Sequence, residues 1–267
     1  MLLHVQRLGT ASQALVCLHG FLGSGDNLWP LADHLKTRRQ SLLIDLRGHG
    51  RSPHGGPYTL GAFADDVAET LEAEGIAQAD LVGHSLGGKV AMALALRHPE
   101  RIRKLVVVDI SAGPSESLFI GLLEALARIP VASLRNRSEA EPLLQGAEPL
   151  LETRRFLLKN LAPAPEGGFR WRMDLEGFRR DHDHLLEPLD AALPFPGPAL
   201  LIKGSTSDQV HAQAWEYTHR LFPAMRLLEL PGGHWIHVDA RQAFLESVGA
   251  FLEAETPPPT HAALPTA

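Results

Sequence analysis

Cysteine occurs once in the 267 residues, at position 17, which excludes an internal disulfide and suits a reducing compartment. Cys17 lies in the apolar run Ala14-Leu15-Val16-Cys17-Leu18, where a buried structural thiol is expected rather than a reactive one. No apolar run approaches the roughly 20 residues needed to span a bilayer. The opening residues, Met1-Leu2-Leu3-His4-Val5-Gln6-Arg7, lack the charged region and long apolar core of a signal peptide. These absences lead to the expectation of a soluble, cytoplasmic protein without a membrane partner. Basic excess is missing as well. Lys and Arg number 25 against 31 Asp and Glu, a net charge of −6, so no nucleic-acid partner is expected. The glycine-rich stretch 48–56 lacks G-x-x-x-x-G-K-[ST] and is no phosphate-binding loop.

What is present centres on Gly83-His84-Ser85-Leu86-Gly87. An apolar run, 79–82, reads as a short buried strand before it, and the Ala- and Leu-rich run 88–97, ending before Pro99, reads as a helix after it. In that context G-x-S-x-G marks a nucleophile elbow, a tight turn on which the Ser85 hydroxyl projects from the sheet edge. Side chains at positions 83 and 87 would collide with the neighbouring strand and helix. The helix N-terminus favours the negative charge that develops in acyl transfer.

Along the chain, strands are expected near 14–18, 41–46, 79–82, 101–110, 199–202 and 226–230. Residues 1–9 read as a short edge hairpin strand. Helices are expected at 29–36, 60–74, 211–221 and 241–254. Their alternation implies right-handed crossovers and an α/β fold with a mostly parallel, doubly wound sheet. The alternation stops between about 112 and 193, where helices near 118–129, 149–161 and 175–186 are expected and no strand is evident. The reading is therefore a core of residues 1–111 and 194–255, a helical cap of 112–193 inserted after the strand that follows the nucleophile helix, and a disordered proline-rich tail, 256–267.

A serine hydroxyl needs a base, and the base needs an acid to orient it. Among 14 histidines, His234 in Pro231-Gly232-Gly233-His234-Trp235 follows the last expected strand and is the candidate base. Asp208, after the penultimate strand, and Asp109, at the end of the strand following the elbow helix, are both acid candidates, and the residues alone do not separate them. The amides of Leu86 and Phe21 are the candidate oxyanion donors. Asp181-His182-Asp183-His184 alternates in a way that scatters its side chains around a helix, so no metal site is read there, and no cofactor is expected.

Together, His19-Gly20-Phe21, the turn Asp45-x-Arg47-Gly48-His49-Gly50-x-Ser52, Gly83-His84-Ser85-Leu86-Gly87-Gly88 and Gly233-His234-Trp235 resemble the α/β-hydrolase superfamily. The likeness runs nearly the whole chain, to about residue 254. Gly-Ser-Gly-Asp-Asn-Leu at 23–28, Val-Asp-Ile at 108–110, Phe-Leu-Leu-Lys-Asn-Leu at 156–161 and His-Trp-Ile-His at 234–237 look like the capped esterases and thioesterases of the bacterial YbfF type. That resemblance implies a Ser-His-Asp triad acting on a small-molecule acyl ester or thioester, and it favours Asp109 as the acid. It also implies an apolar acyl pocket under the cap, with Leu118, Phe119, Leu122, Phe156 and Trp171 as candidates. Where such proteins usually continue Ala/Ser-Pro-x-x-Tyr after Val-Asp-Ile, this chain has Ser111-Ala112-Gly113-Pro114-Ser115. On the same triad, carbon–carbon bond hydrolysis or lyase chemistry, or a non-catalytic ligand receptor, are the alternatives.

Overall fold

The computed structural model describes residues 1–115 and 120–255. The expected disordered tail lies outside them. In chain order the elements are β1 (Val5–Leu8), β2 (Ala14–Leu18), α1 (Trp29–Leu35), β3 (Gln40–Ile44), α2 (Leu60–Ala73), β4 (Ala79–His84), α3 (Leu86–Arg97) and β5 (Ile102–Val108). After β5 come α4 (Ile120–Ala127), α5 (Leu151–Leu158), β6 (Leu161–Pro163), β7 (Phe169–Trp171), α6 (Leu175–Arg180) and α7 (His182–Leu186). The chain then runs through β8 (Ala199–Gly204), α8 (Ala212–Leu221), β9 (Met225–Leu230), α9 (Ile236–Asp239) and α10 (Arg241–Glu253).

Seven strands form one sheet in the order β1-β3-β2-β4-β5-β8-β9. Only β1 runs antiparallel to its neighbour. The continuous apolar runs follow from burial on both faces. Val16, Leu18, Leu105 and Val107 point into one core, while Leu15, Cys17, Val106 and Val108 point into the other. β1 is an edge strand, as its composition suggests, but it pairs with β3 and forms no hairpin with β2. Fully buried β2 takes the sheet interior, and half-buried β1 is left at the rim.

The segment between β5 and β8 departs from the all-helical expectation. β6 and β7 form an antiparallel hairpin, whose turn uses Gly167 and Gly168 at positive φ. Three residues per strand are too few to show an alternating pattern. The expected helix 175–186 is split at Asp181 into α6 and α7. There the Asp181 carboxylate accepts a hydrogen bond from the Tyr58 amide at 3.0 Å, so a tertiary bond overrides local helix continuation.

This inserted segment is tied to loops that follow β2 and β3. Tyr58 Oη donates to Asp174 at 2.5 Å, and the Asp174 amide donates to the Gly48 carbonyl at 2.8 Å. Asn160 Nδ2 donates to the Leu22 carbonyl at 2.7 Å. The segment therefore stands at the C-terminal ends of the strands, where open α/β sheets place their sites. Among the described residues no helix is long and apolar enough to cross a membrane.

Candidate active site

Ser85 links β4 to α3 at φ 51°, ψ −122°, a region that costs a non-glycine residue of order 1–3 kcal/mol and is tolerated only where the surroundings enforce it. The surroundings are backbone. A Cβ on Gly83 would lie 2.2 Å from the Gly87 carbonyl oxygen, and one on Gly87 would lie 2.3 Å from that of Leu18. The Ser85 amide donates to the Val108 carbonyl at 2.9 Å. Strand, turn and helix are thus locked into one geometry, with the hydroxyl at the N-terminus of α3.

Three remote segments meet there. His234, in the loop between β9 and α9, has its Nε2 3.0 Å from Ser85 Oγ. Its Nδ1 lies 2.8 Å from Asp109 Oδ2. Asp109 is fully buried one residue beyond β5, at φ 51°. Its Oδ1 accepts from the Gly204 amide at 2.9 Å, and its Oδ2 also accepts from the Ser207 hydroxyl. Three donors satisfy a carboxylate that water does not reach. Asp208 stands apart, exposed, with its carboxylate 3.4 Å from the Gln209 amide nitrogen.

Neutral imidazoles brace this arrangement. His84 Nε2 donates to the His234 carbonyl at 2.8 Å. Burial, with His237 and His234 nearby, holds His84 well below the usual histidine range. His237 packs edge-on to His84 at 4.5 Å and is pushed down to about 4, chiefly by burial. On the other side, His19 Nδ1 donates to the Gly20 carbonyl and its Nε2 accepts from the Leu46 amide. His49 Nε2 accepts from the Leu22 amide at 3.1 Å. These bonds pin the loop that carries Phe21. A Cβ on Gly20 would come within 3.3 Å of Ser85 Cβ, so this loop passes directly against the nucleophile.

A cavity of about 40 Å³ opens beside Ser85, walled by Phe21, Leu86, Ile110, Leu185 and Leu186. Of the expected acyl-pocket residues, Leu118 and Phe119 lie outside the described residues. Leu122 is buried among other core side chains. Phe156 packs on Trp235 at 4.6 Å, and Trp171 belongs to the β6–β7 hairpin. The described wall of the cavity is instead made by the α7 leucines, the helix N-terminus and the loop after β5.

The cavity also holds Lys89 and His182, neither of which the sequence reading singled out for chemistry. A signal existed for Lys89, the only charged residue in an otherwise apolar α3 before Arg97. It lies four residues after Ser85, on the same helix face. The Asp181–His184 run scatters: His182 is buried at the cavity, Asp181 caps the Tyr58 amide, and His184 pairs with Glu187 at 2.8 Å.

A family model described as the alpha/beta hydrolase fold matches residues 13–146. The sn-1-specific diacylglycerol lipase ABHD11 of Xenopus laevis is 36% identical over 249 residues, 90% of this chain and 80% of that protein. Esterase YbfF of Escherichia coli is 30% identical over 249 residues, 89% of this chain and 92% of that protein. Among solved structures, a marine microorganism esterase superposes with a TM-score of 0.91 at 31% identity, covering 94% of this chain and 99% of that one. The chain thus belongs to the α/β-hydrolase family and is an enzyme of its carboxylesterase kind.

Proposed function

We propose that this chain is a serine hydrolase that cleaves carboxylic esters or acyl thioesters through an acyl-enzyme, with Ser85, His234 and Asp109 as its triad. The observation that carries the reading is the unbroken relay from Ser85 Oγ to His234 Nε2 at 3.0 Å and from His234 Nδ1 to Asp109 at 2.8 Å. In the first step Ser85 Oγ bonds to the substrate carbonyl carbon while its proton passes to His234 Nε2. The buried Asp109 carboxylate holds the imidazole in the tautomer that leaves Nε2 free to accept. The amides of Phe21 and Leu86 receive the oxyanion, at the positive end of α3. Collapse breaks the bond to the alcohol or thiol, which takes the proton from His234. Water, deprotonated by the same nitrogen, then adds to the acyl carbon and releases the carboxylic acid and free Ser85.

Residues 112–193 act in this reading as a cap over the site, with its cavity wall supplied by Leu185 and Leu186. A cavity of about 40 Å³ favours a short acyl arm. The reading is tested with p-nitrophenyl esters from acetate to palmitate beside acyl-CoA thioesters. Ser85→Ala is expected to lower kcat by roughly 10⁴-fold or more with an unchanged circular dichroism spectrum. Turnover retained in Ser85→Ala overturns the assignment.

A further inference from the structure

Lys89 is 1% exposed, and it lines the cavity with Ser85. Among the described residues its ammonium has one hydrogen-bond partner, the neutral carbonyl of Glu187 at 3.0 Å, and no carboxylate pairs with it. An ammonium carries three donors, and a buried cation is costly unless an anion compensates it. Burial lowers Lys89 only to about 8, so the group keeps its charge at neutral pH. In the same cavity, His182 is 4% exposed, and among the described residues its Nε2 has no hydrogen-bond partner. Its Nδ1 lies 3.4 Å from Asp183 Oδ1. A buried cation and a buried nitrogen that no described residue partners therefore line one small cavity, together with Ser85, Ser115, Gln209 and apolar side chains, about one helical turn from the nucleophile.

We infer that the arm of the substrate entering this cavity ends in a carboxylate, held by Lys89 and His182. The preferred substrates are then half-esters or half-thioesters of short dicarboxylic acids. The inference rests on the serine-hydrolase reading above and deepens it by naming the substrate class. The anion supplies the missing partner of Lys89, and the ammonium holds the arm so that the scissile carbonyl stays at Ser85 Oγ. A neutral arm of the same length would leave the Lys89 ammonium buried without an anion and His182 Nε2 without a partner, which is how a polar site rejects an apolar analogue.

The test compares monoethyl glutarate with ethyl pentanoate, followed by titration of released acid, and uses p-nitrophenyl acetate as the separate readout of the triad. Wild-type kcat/KM is expected to favour the half-ester by about 10- to 100-fold, the range of a charge-assisted hydrogen bond. Glutarate is expected to inhibit p-nitrophenyl acetate turnover competitively, and pentanoate much less. In Lys89→Met the preference for the half-ester should fall to near parity, and in His182→Phe it should fall several-fold. Wild-type selectivity and inhibition need no variant, so a misfolded Lys89→Met does not blunt the test. A wild-type chain that turns over p-nitrophenyl acetate but shows no half-ester preference overturns the carboxylate assignment alone, as does a folded Lys89→Met that keeps the preference. A chain inert to all three esters overturns both readings.

Discussion

At residue 109 the backbone turns to positive φ and aims a buried carboxylate at His234 and away from solvent. Its other donors, the Gly204 amide and the Ser207 hydroxyl, hold the carboxylate plane so that Oδ2 meets His234 Nδ1. An amide in place of this carboxylate would present the wrong tautomer of histidine to the serine. Asp109→Asn is therefore expected to lower kcat on p-nitrophenyl acetate by roughly 10³- to 10⁴-fold, whereas Asp208→Asn should stay within about twofold. Equal loss in the two variants would mean that the loop bearing Asp208 moves in during turnover. Both acids were visible in the sequence, because each follows a recognisable strand. Choosing between them on residues alone was not possible, since either loop can reach the base and only side-chain direction decides.

The elements that matter most are β4, the elbow and α3, where glycine is demanded by neighbours rather than by flexibility. A methyl on Gly87 would meet the carbonyl oxygens of Leu18 and His19 at 2.3 and 2.5 Å, atoms that belong to β2 and the loop behind the nucleophile. Relief requires the strand or the helix to shift. Gly87→Ala is expected to destabilise the fold by about 2–3 kcal/mol and to reduce turnover further. Gly249 offers the opposite case. It sits within α10, and its nearest neighbours to an added Cβ are side-chain atoms of Leu35 and His34 at 3.7 and 3.8 Å, ordinary contact distances. Gly249→Ala should raise stability by roughly 0.5–1 kcal/mol, read as a higher urea midpoint at unchanged slope. The elbow and the 175–186 segment show how far local pattern reaches. The elbow's steric logic is written in G-x-S-x-G, while the division of the 175–186 helix at Asp181 depends on Tyr58, far away in the chain.

Across the whole molecule, a set of buried imidazoles knits the C-terminal ends of the strands together. His19, His49, His84 and His237 all lie below their ordinary range, each chiefly because burial disfavours the charged form. For His237, the folded value of about 4 lies below an unfolded value near 6.5. The unfolded chain therefore binds more protons between those values. The stability these groups contribute is complete above about pH 6.5 and is lost as pH falls toward 4 and below, on the order of 3 kcal/mol for His237 alone. Thermal unfolding followed by circular dichroism should show the melting temperature dropping steadily from pH 6.5 to 4. His237→Gln should flatten part of that slope. A profile level across the interval would contradict the buried, neutral assignment.

The sequence by itself determined the α/β alternation, the inserted segment, the elbow with its serine and the histidine after the last strand. These are matters of hydrophobic period, glycine sterics and turn chemistry, all set by residues close together in the chain. Tertiary structure alone decided which carboxylate meets a histidine 125 residues away, which side chains wall the cavity, and that Lys89 faces Glu187 across 98 residues. It also placed two short strands within the segment read as purely helical. Those outcomes turn on side-chain direction and long-range packing, where distant segments compete for the same space and hydrogen-bond partners, and no local period encodes the winner.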